Sequence, residues 1–144
     1  MKFEHNETLE AARERNIRDA LMEDMGRVDW TAQLIPAGQT VQAHVVAKET
    51  AVLCGRAWFD GCIHALDAAA MIQWNSREGD CVDAGTVICA VSATARALMS
   101  AERSSLNFLQ MLSGVATRTR TYVDAIEGAS RSEEHTSERV SSVV

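Results

Sequence analysis

The sequence predicts an α+β fold, in which a sheet is covered by helices, and two observations support this prediction. The 144 residues are 47% apolar and 24% charged, a composition typical of one globular domain with its own core. The spacing of apolar residues then changes along the chain. It is typical of a helix first, then of strands, of a second helix, of further strands and finally of helices. Helices and strands in this order pack as a sheet with helices against it.

The first half of the chain predicts one helix and two strands. Residues Asn6–Met25 have an apolar side at helical spacing, and Gly26 provides a stop. A connector should follow over residues 30–38, because Pro36 and Gly38 break regular structure. Apolar side chains then alternate with others from Val41 to Ala47, which predicts a strand with one more apolar face. A short apolar strand is expected over Ala51–Cys54, before Gly55.

The middle of the chain repeats this alternation of helix and strand. Residues Arg56–Leu66 predict a short helix whose large apolar side chains cluster on one side. Residues Ala70–Trp74 are typical of a strand. Two more strand pieces are expected at Val82 and over Thr86–Val91, separated by a turn at residues 83–85.

Composition excludes several classes of partner and site. The net charge of −6 and the lack of a basic block argue against a nucleic-acid partner. No apolar stretch reaches the roughly 20 residues of a membrane span, and by elimination we expect a cytoplasmic protein. The four cysteines form no C-x-x-C pair, so buried free thiols are favoured over a zinc site or disulfides: Cys54, Cys62, Cys81 and Cys89.

Polar residues in the middle of the chain are not arranged as in a typical catalytic or metal-binding site. His44 has no nucleophile or carboxylate paired with it, so a structural or solvent-facing role is favoured. The acidic run around Asp80 and Asp83 lacks the spacing of a calcium loop, and turn residues are the better interpretation. The same run resembles half of a biotinyl or lipoyl carrier hairpin, but neither Lys2 nor Lys48 lies where a carrier needs its lysine.

The most informative segment lies in the last helical region, residues 94–127, for which we expect a break or bend near Gly114. Leu106, Leu109, Met111, Leu112, Val115 and Ala116 recur at helical spacing and predict a broad buried stripe. Arg103 should emerge at the edge of this stripe, with Asn107 one turn further on the same side, where it could orient the arginine by hydrogen bonding. An arginine held there could bind a carboxylate or phosphate through two parallel hydrogen bonds. The alternative is a structural arginine that snorkels or forms a salt bridge.

The run Glu102–Thr117, ERSSLNFLQMLSGVAT, resembles the E-R-[ST]-x-L-N-x-x-x-x-L-S-G-x-A-T segment of the quinolinate phosphoribosyltransferase family. Weaker similarities precede it in the family's order, at residues 34–36 (LIP), 51–55 (AVLCG) and 78–82 (EGDCV). The resemblance covers about residues 15–128. It implies that this region is the family's N-terminal α/β sandwich domain, and that the final helix leads into the first helix of an α/β barrel, truncated here.

The resemblance also implies a function. Members of the family are glycosyltransferases that convert quinolinate and phosphoribosyl pyrophosphate to nicotinate mononucleotide, CO2 and pyrophosphate, in de novo NAD biosynthesis. In the family, the arginine of the E-R-[ST] run reaches quinolinate in the neighbouring subunit of a homodimer or higher oligomer. Arg103 matches that position, with Asn107 as a supporting residue. Mg²⁺ is expected for the full enzyme, and its acidic ligands belong to the barrel. No catalytic or metal-binding residue is assigned here.

The resemblance ends near residue 128. We expect residues 1–128 to be the family-like domain, and residues 129–144 to be a non-homologous tail without an apolar face, either disordered or poorly packed. Its segment Arg131–Glu138, RSEEHTSE, resembles the translation of a sequencing-library adapter. The chain is then a fragment with no activity of its own. The alternative is a non-catalytic folded module, either carrier-like or a dimerisation domain.

Overall fold

The computed structural model describes residues 7–26 and 34–141, and side chains as far as Ala129. Its elements, in chain order, are α1 (Leu9–Met25), β1 (Thr40–Val46), β2 (Ala51–Val52), α2 (Arg56–Leu66), β3 (Met71–Trp74), β4 (Cys81–Val82), β5 (Val87–Thr94) and α3 (Ala95–Ser141). The α+β prediction is therefore confirmed. Helix α1 begins at Leu9, after its N-cap Thr8, and so later than the predicted start at Asn6. Asn6 itself, and residues 30–33 of the predicted connector, lie outside the described residues.

Two antiparallel sheets form the β layer. Strand β5 is central in the larger sheet, between β1 and β3, and β2 pairs with β4 in a separate ribbon. Every pairing is antiparallel, and each joins strands that are not consecutive in the chain. In β1 the residues alternate between exposed and half-buried, which confirms the predicted alternation from Val41 onward.

The main core lies between the larger sheet and helices α2 and α3. It contains Leu53, Phe59, Ile63, Val91 and Ala101, each at most 2% exposed. The Phe59 ring packs edge-to-face on Trp74 of β3, with ring centroids 5.4 Å apart. The Trp74 indole N–H also donates to the Asp60 carboxylate at 2.9 Å, and burial raises the pKa of that carboxyl. Phe59 and Asp60, neighbours on α2, thus attach the helix to β3.

Helix α1 packs on the outer side of α2 through a second, smaller cluster. Ile17 and Leu21 of α1 bury Cys62 of α2 completely. The two helices approach closely at Gly61, where an added Cβ would lie 2.3 Å from the Ile17 side chain. The Thr8 side chain caps the first turn of α1, and Gly26 ends the helix at φ +58°, as the sequence predicts.

Three parts of the chain come into close contact at the beginning of α2. Gly55, its N-cap, has φ +103°, and a Cβ there would lie 2.9 and 3.2 Å from Leu112 side-chain carbons of α3. With no capping side chain on Gly55, the Glu78 carboxylate accepts from the Gly55 and Arg56 N–H groups at 2.6 and 3.1 Å. A carboxylate at a helix N-terminus is favoured by the helix dipole.

We predict opposite effects of alanine at two glycines. Gly55→Ala should lower the free energy of unfolding by about 1–3 kcal/mol, because alanine is strained at φ +103° and would crowd Leu112. Gly114→Ala, within α3 and with open space around its Cα, should raise that free energy by about 0.5–1 kcal/mol. Urea denaturation of the two variants measures both effects, and equal shifts in one direction would contradict the prediction.

Helix α3 differs from the sequence prediction in three respects. It is continuous from Ala95 to Ser141, without a break near Gly114. One helical glycine costs only about 1 kcal/mol, too little to interrupt a helix with strong formers on both sides. The helical backbone also continues through residues 129–141, which differs from the expectation of disorder, while the alternative of a poorly packed tail stays a prediction. These residues include no Gly or Pro, so an established helix can propagate into them. Residues 142–144 of the predicted tail lie outside the described part.

The third difference concerns burial. Leu109 is 5% exposed as predicted, but Met111 and Val115 are 70% and 66% exposed. The buried side of α3 instead includes Ala101, Ser104 and Ser105. The prediction of one broad buried stripe is therefore wrong for Met111 and Val115. Their side of the helix carries further exposed apolar groups at Tyr122 and Ile126.

Candidate functional site

Arg103 lies on the exposed side of α3. A helix turns by about 100° per residue, so Ala101 and Ser105, two positions before and after, point almost directly away from it. Both are buried, at 0% and 1% exposure, and Arg103 therefore faces away from the core. The predicted position at the edge of a buried stripe is wrong. Within the described residues no hydrogen bond or ion pair involves the Arg103 side chain.

Asn107, the predicted supporting residue, lies one turn beyond Arg103 and is also exposed. Met111 and Val115 continue the same line at intervals of four residues, and we call these four residues the Arg103 face. The side chains of Arg103 and Asn107 share no hydrogen bond in the structure, although helical spacing brings them to one side. The face combines one fixed positive charge, one amide and two exposed apolar groups.

Three hydroxyls hold the helix that carries Arg103, and sequence reasoning missed them. Ser104, 2% exposed, donates to the Asp24 carboxylate of α1 at 2.5 Å. Further along, Ser113 and Thr117 bond to the backbone of residues 52–54. These hydroxyls belong to the E-R-[ST] and S-G-x-A-T parts of the sequence motif. The available signal was thus a polar residue within a largely apolar helical segment.

Asp67 holds the beginning of α3. Its carboxylate accepts from the N–H of Thr94, the residue before the helix, at 2.8 Å, and from the Ala69 N–H at 3.0 Å. The bond from the Thr94 backbone, the larger cause, lowers the pKa of Asp67 below its ordinary value of 3.8. A carboxyl with a lowered pKa in the folded state stabilises the fold above pH 3.8, and this stabilisation is lost as the pH falls through the lowered pKa.

We therefore predict a pH-dependent effect of Asp67→Asn. The variant should be less stable than the original chain at pH 7, and the difference should shrink as the pH falls below about 4. Urea denaturation at a series of pH values measures this difference. Asp83→Asn is the control, because the Asp83 carboxylate makes no bond within the described part of the chain. A difference that is constant with pH would contradict the prediction.

The remaining candidates have structural positions. His44 is exposed on β1, which fits the solvent-facing interpretation. Asp80 accepts from the Arg77 N–H, and the Asp83 carbonyl from the Thr86 N–H, so both are turn residues as predicted. The four cysteines are free thiols. Cys62 and Cys89 are buried as predicted, but Cys81, in β4, is exposed and Cys54 is half-buried.

The described residues contain no group of three His, Cys, Asp or Glu side chains able to hold a metal ion. Among the same residues, no helix is long and apolar enough to cross a membrane. A shallow groove of about 770 Å³ lies between α1 and α2, lined by residues such as Leu21, Met22 and Asp60. It is separate from the Arg103 face, which lies on α3.

Comparison with known proteins gives consistent matches. The family model described as "Quinolinate phosphoribosyl transferase, N-terminal domain" matches residues 29–113. A probable nicotinate-nucleotide pyrophosphorylase [carboxylating] from Synechocystis is 39% identical over 106 residues, which are 74% of this chain and 36% of that protein. The chloroplastic nicotinate-nucleotide pyrophosphorylase of Arabidopsis thaliana is 36% identical over 115 residues, 78% of this chain and 33% of that protein. The chain thus spans about a third of these relatives.

Solved structures agree. The nicotinate-nucleotide pyrophosphorylase from Francisella tularensis superposes with a TM-score of 0.79 at 34% identity, over 85% of this chain and 44% of that one. The corresponding protein from Ehrlichia chaffeensis gives a TM-score of 0.72 at 26% identity, over 83% of this chain and 43% of that one. The similarity therefore extends from sequence to three-dimensional fold.

Proposed function

The chain belongs to the quinolinate phosphoribosyltransferase family, as its N-terminal domain, and from this membership we propose that it supplies the quinolinate-binding arginine of a nicotinate mononucleotide-forming enzyme. The substrates would be quinolinate and phosphoribosyl pyrophosphate, and the products nicotinate mononucleotide, CO2 and pyrophosphate. The observation that supports this role is the exposed guanidinium of Arg103, without a partner in the described part of the chain, on a helix fixed at several points.

The chemistry of quinolinate explains why such a residue is needed. Quinolinate carries two carboxylates, and an arginine binds a carboxylate through two parallel, charge-assisted hydrogen bonds. Asn107, one turn further along, can donate an amide hydrogen bond to the same carboxylate. Arg103 and Asn107 bind and orient the ring in this proposal, and neither residue takes part in bond making or breaking.

Phosphoribosyl transfer further requires a site for pyrophosphate, which Mg²⁺ neutralises when bound. The described residues do not fit this task, because they contain no cluster of metal ligands. We assign Mg²⁺ and the pyrophosphate site to the C-terminal part of the full enzyme, which follows the position of Gly128 in the family. Residues 129–144 of this chain are a separate segment without family resemblance and are not assigned to that part. On this proposal the 144 residues alone are inactive.

Assembly and location are part of the same proposal. The exposed apolar groups of α3, namely Met111, Val115, Tyr122 and Ile126, are suited to being covered by a C-terminal domain or by a second subunit. We propose a homodimer or higher oligomer in which Arg103 contacts quinolinate bound by the neighbouring subunit. Two free, buried thiols, Cys62 and Cys89, suit the reducing cytoplasm.

A chimera tests the function. Residues 1–128 would replace the matching N-terminal part of the Synechocystis relative, leaving that protein's C-terminal part unchanged. We expect the chimera to form nicotinate mononucleotide from quinolinate and phosphoribosyl pyrophosphate, measured by chromatography. The 144-residue chain and the C-terminal part should each be inactive alone.

The control for the junction is a second chimera with the N-terminal part of the Bacillus subtilis relative, which is 36% identical to this chain. If that chimera is active while a folded chimera with residues 1–128 is inactive, the proposed function is wrong. The alternative of a non-catalytic module would then be favoured.

A further inference from the structure

Two hydroxyl side chains of helix α3 bind the segment that contains strand β2: Thr117 bonds to Val52 in the strand, and Ser113 to Cys54, two residues beyond it. We propose that these are positioning residues, which set the rotation of α3 and so place Arg103 for its carboxylate contact. This inference rests on the proposed function of Arg103. Neither residue touches the substrate in this proposal, and both act through the helix.

The hydroxyls bind an edge of the β2–β4 ribbon that would otherwise lack partners. Leu53 exchanges backbone hydrogen bonds with residues 79 and 80, so Leu53 faces the β4 side. Because strand residues alternate, the N–H groups of Val52 and Cys54 face the opposite edge. There Thr117 Oγ1 accepts from the Val52 N–H at 2.9 Å, and Ser113 Oγ accepts from the Cys54 N–H at 3.0 Å. The Ser113 hydroxyl also donates to the Cys54 carbonyl at 3.1 Å.

These bonds differ from those of neighbouring hydroxyls on the same helix. Thr117, Thr119 and Thr121 each donate to the carbonyl four residues earlier, at 2.7, 2.8 and 3.1 Å. Within the described chain only Thr117 among these three also bonds to another element. Thr121 therefore offers a matched control, with the same side chain and the same bond within the helix but without the bond to β2.

Directional bonds matter because apolar packing constrains rotation weakly. Leu109 and Leu112 hold α3 against the core, yet dispersion contacts have no preferred direction. A rotation of about 10° moves a side-chain atom about 1 Å when it lies about 6 Å from the helix axis. Displacements of about 1 Å can change rates by about a hundredfold where a ligand must be held in one geometry.

Two anchors then act on Arg103 from different directions. Ser104, the neighbour of Arg103, bonds to α1. Ser113 and Thr117 lie about 15 and 21 Å from Arg103 along the helix axis and bond to residues 52–54. Loss of the bonds to β2 should therefore shift Arg103 without releasing it. We expect weaker quinolinate binding rather than complete loss of activity.

The experiment compares Thr117→Val with Thr121→Val in the chimera. Thr117→Val should raise the KM for quinolinate about tenfold and the KM for phosphoribosyl pyrophosphate less than about twofold. Thr117→Ser, which restores the hydroxyl, should return the quinolinate KM to within about twofold of the parent. Thr121→Val should change neither KM. In the 144-residue chain, hydrogen exchange of the Val52 amide should accelerate in Thr117→Val and not in Thr121→Val.

A double-mutant cycle with Arg103→Ala decides whether Thr117 acts through Arg103. The effect of Thr117→Val on the quinolinate KM should fall below about twofold when Arg103 is absent. An equal effect in both backgrounds, or equal KM values for Thr117→Val and Thr121→Val, overturns the positioning role alone. An unchanged quinolinate KM in Arg103→Ala overturns the proposed function of the site, and the positioning role with it.

Discussion

Arg103→Ala in the chimera should raise the KM for quinolinate ten- to a hundredfold while leaving the melting temperature almost unchanged. A charge-assisted, bidentate contact with a carboxylate contributes about 1.5–3 kcal/mol to binding, which corresponds to that change in KM. The fold should tolerate the change, because Arg103 is exposed and bonds to no other described residue. Steady-state kinetics with quinolinate as the varied substrate, together with thermal denaturation, measure the two effects.

Arg103→Lys should recover only part of the affinity, because an ammonium group keeps the charge but lacks the planar fork. The control is Arg18→Ala on α1, which removes an exposed arginine that pairs only with its neighbour Asp19 among the described residues. An unchanged quinolinate KM with a large drop in melting temperature would make Arg103 a structural residue. If the contact crosses a dimer, mixing Arg103→Ala subunits with subunits disabled in the C-terminal part should restore some activity.

Phe59→Ala should lower the free energy of unfolding by about 3–5 kcal/mol, the largest stability effect that we expect. Phe59 is 2% exposed and packs on the Trp74 ring, so its truncation leaves a cavity between α2 and β3. Small domains are stable by only about 5–15 kcal/mol, and such a loss would leave this one close to unfolding. Urea denaturation of the 144-residue chain, followed by circular dichroism, measures the change.

The matched comparison for Phe59 is Met111→Ala. Met111 is 70% exposed on α3, so its truncation creates no cavity and should change stability by less than about 0.5 kcal/mol. A loss of similar size in the two variants would show that the core between α2 and β3 is not where the stability of this domain resides.

Local patterns predicted most of the elements. The helix from Arg56 to Leu66 has the predicted bounds, and the strand around Val41–Val46 has the predicted alternation. In these segments, burial against the nearest layer determines the pattern, and the pattern can be read from a few neighbouring residues. The family resemblance was carried by a longer run, and the comparisons confirm it.

The site was predicted less completely, because its determinants are far apart in the chain. Ser104 bonds to a residue 80 positions away, and Ser113 and Thr117 to residues 59 and 65 positions away. No local period reveals such pairs. Periodicity also indicates which side of a helix is apolar without saying whether another surface covers it, which explains the error at Met111 and Val115. The roles of Arg103 and Asn107 remain predictions.

The free thiols make it possible to measure the opening of the two cores separately. Only a thiolate reacts with alkylating reagents, and burial raises the pKa of Cys62 and of Cys89 to about 12. Both thiols are therefore protonated at pH 7 and are also 0% exposed, so labelling of either requires transient unfolding around it. Cys62 lies where α1 meets α2, and Cys89 lies in the main core. Their alkylation rates, referred to that of exposed Cys81, would report whether α1 detaches before the rest of the domain unfolds.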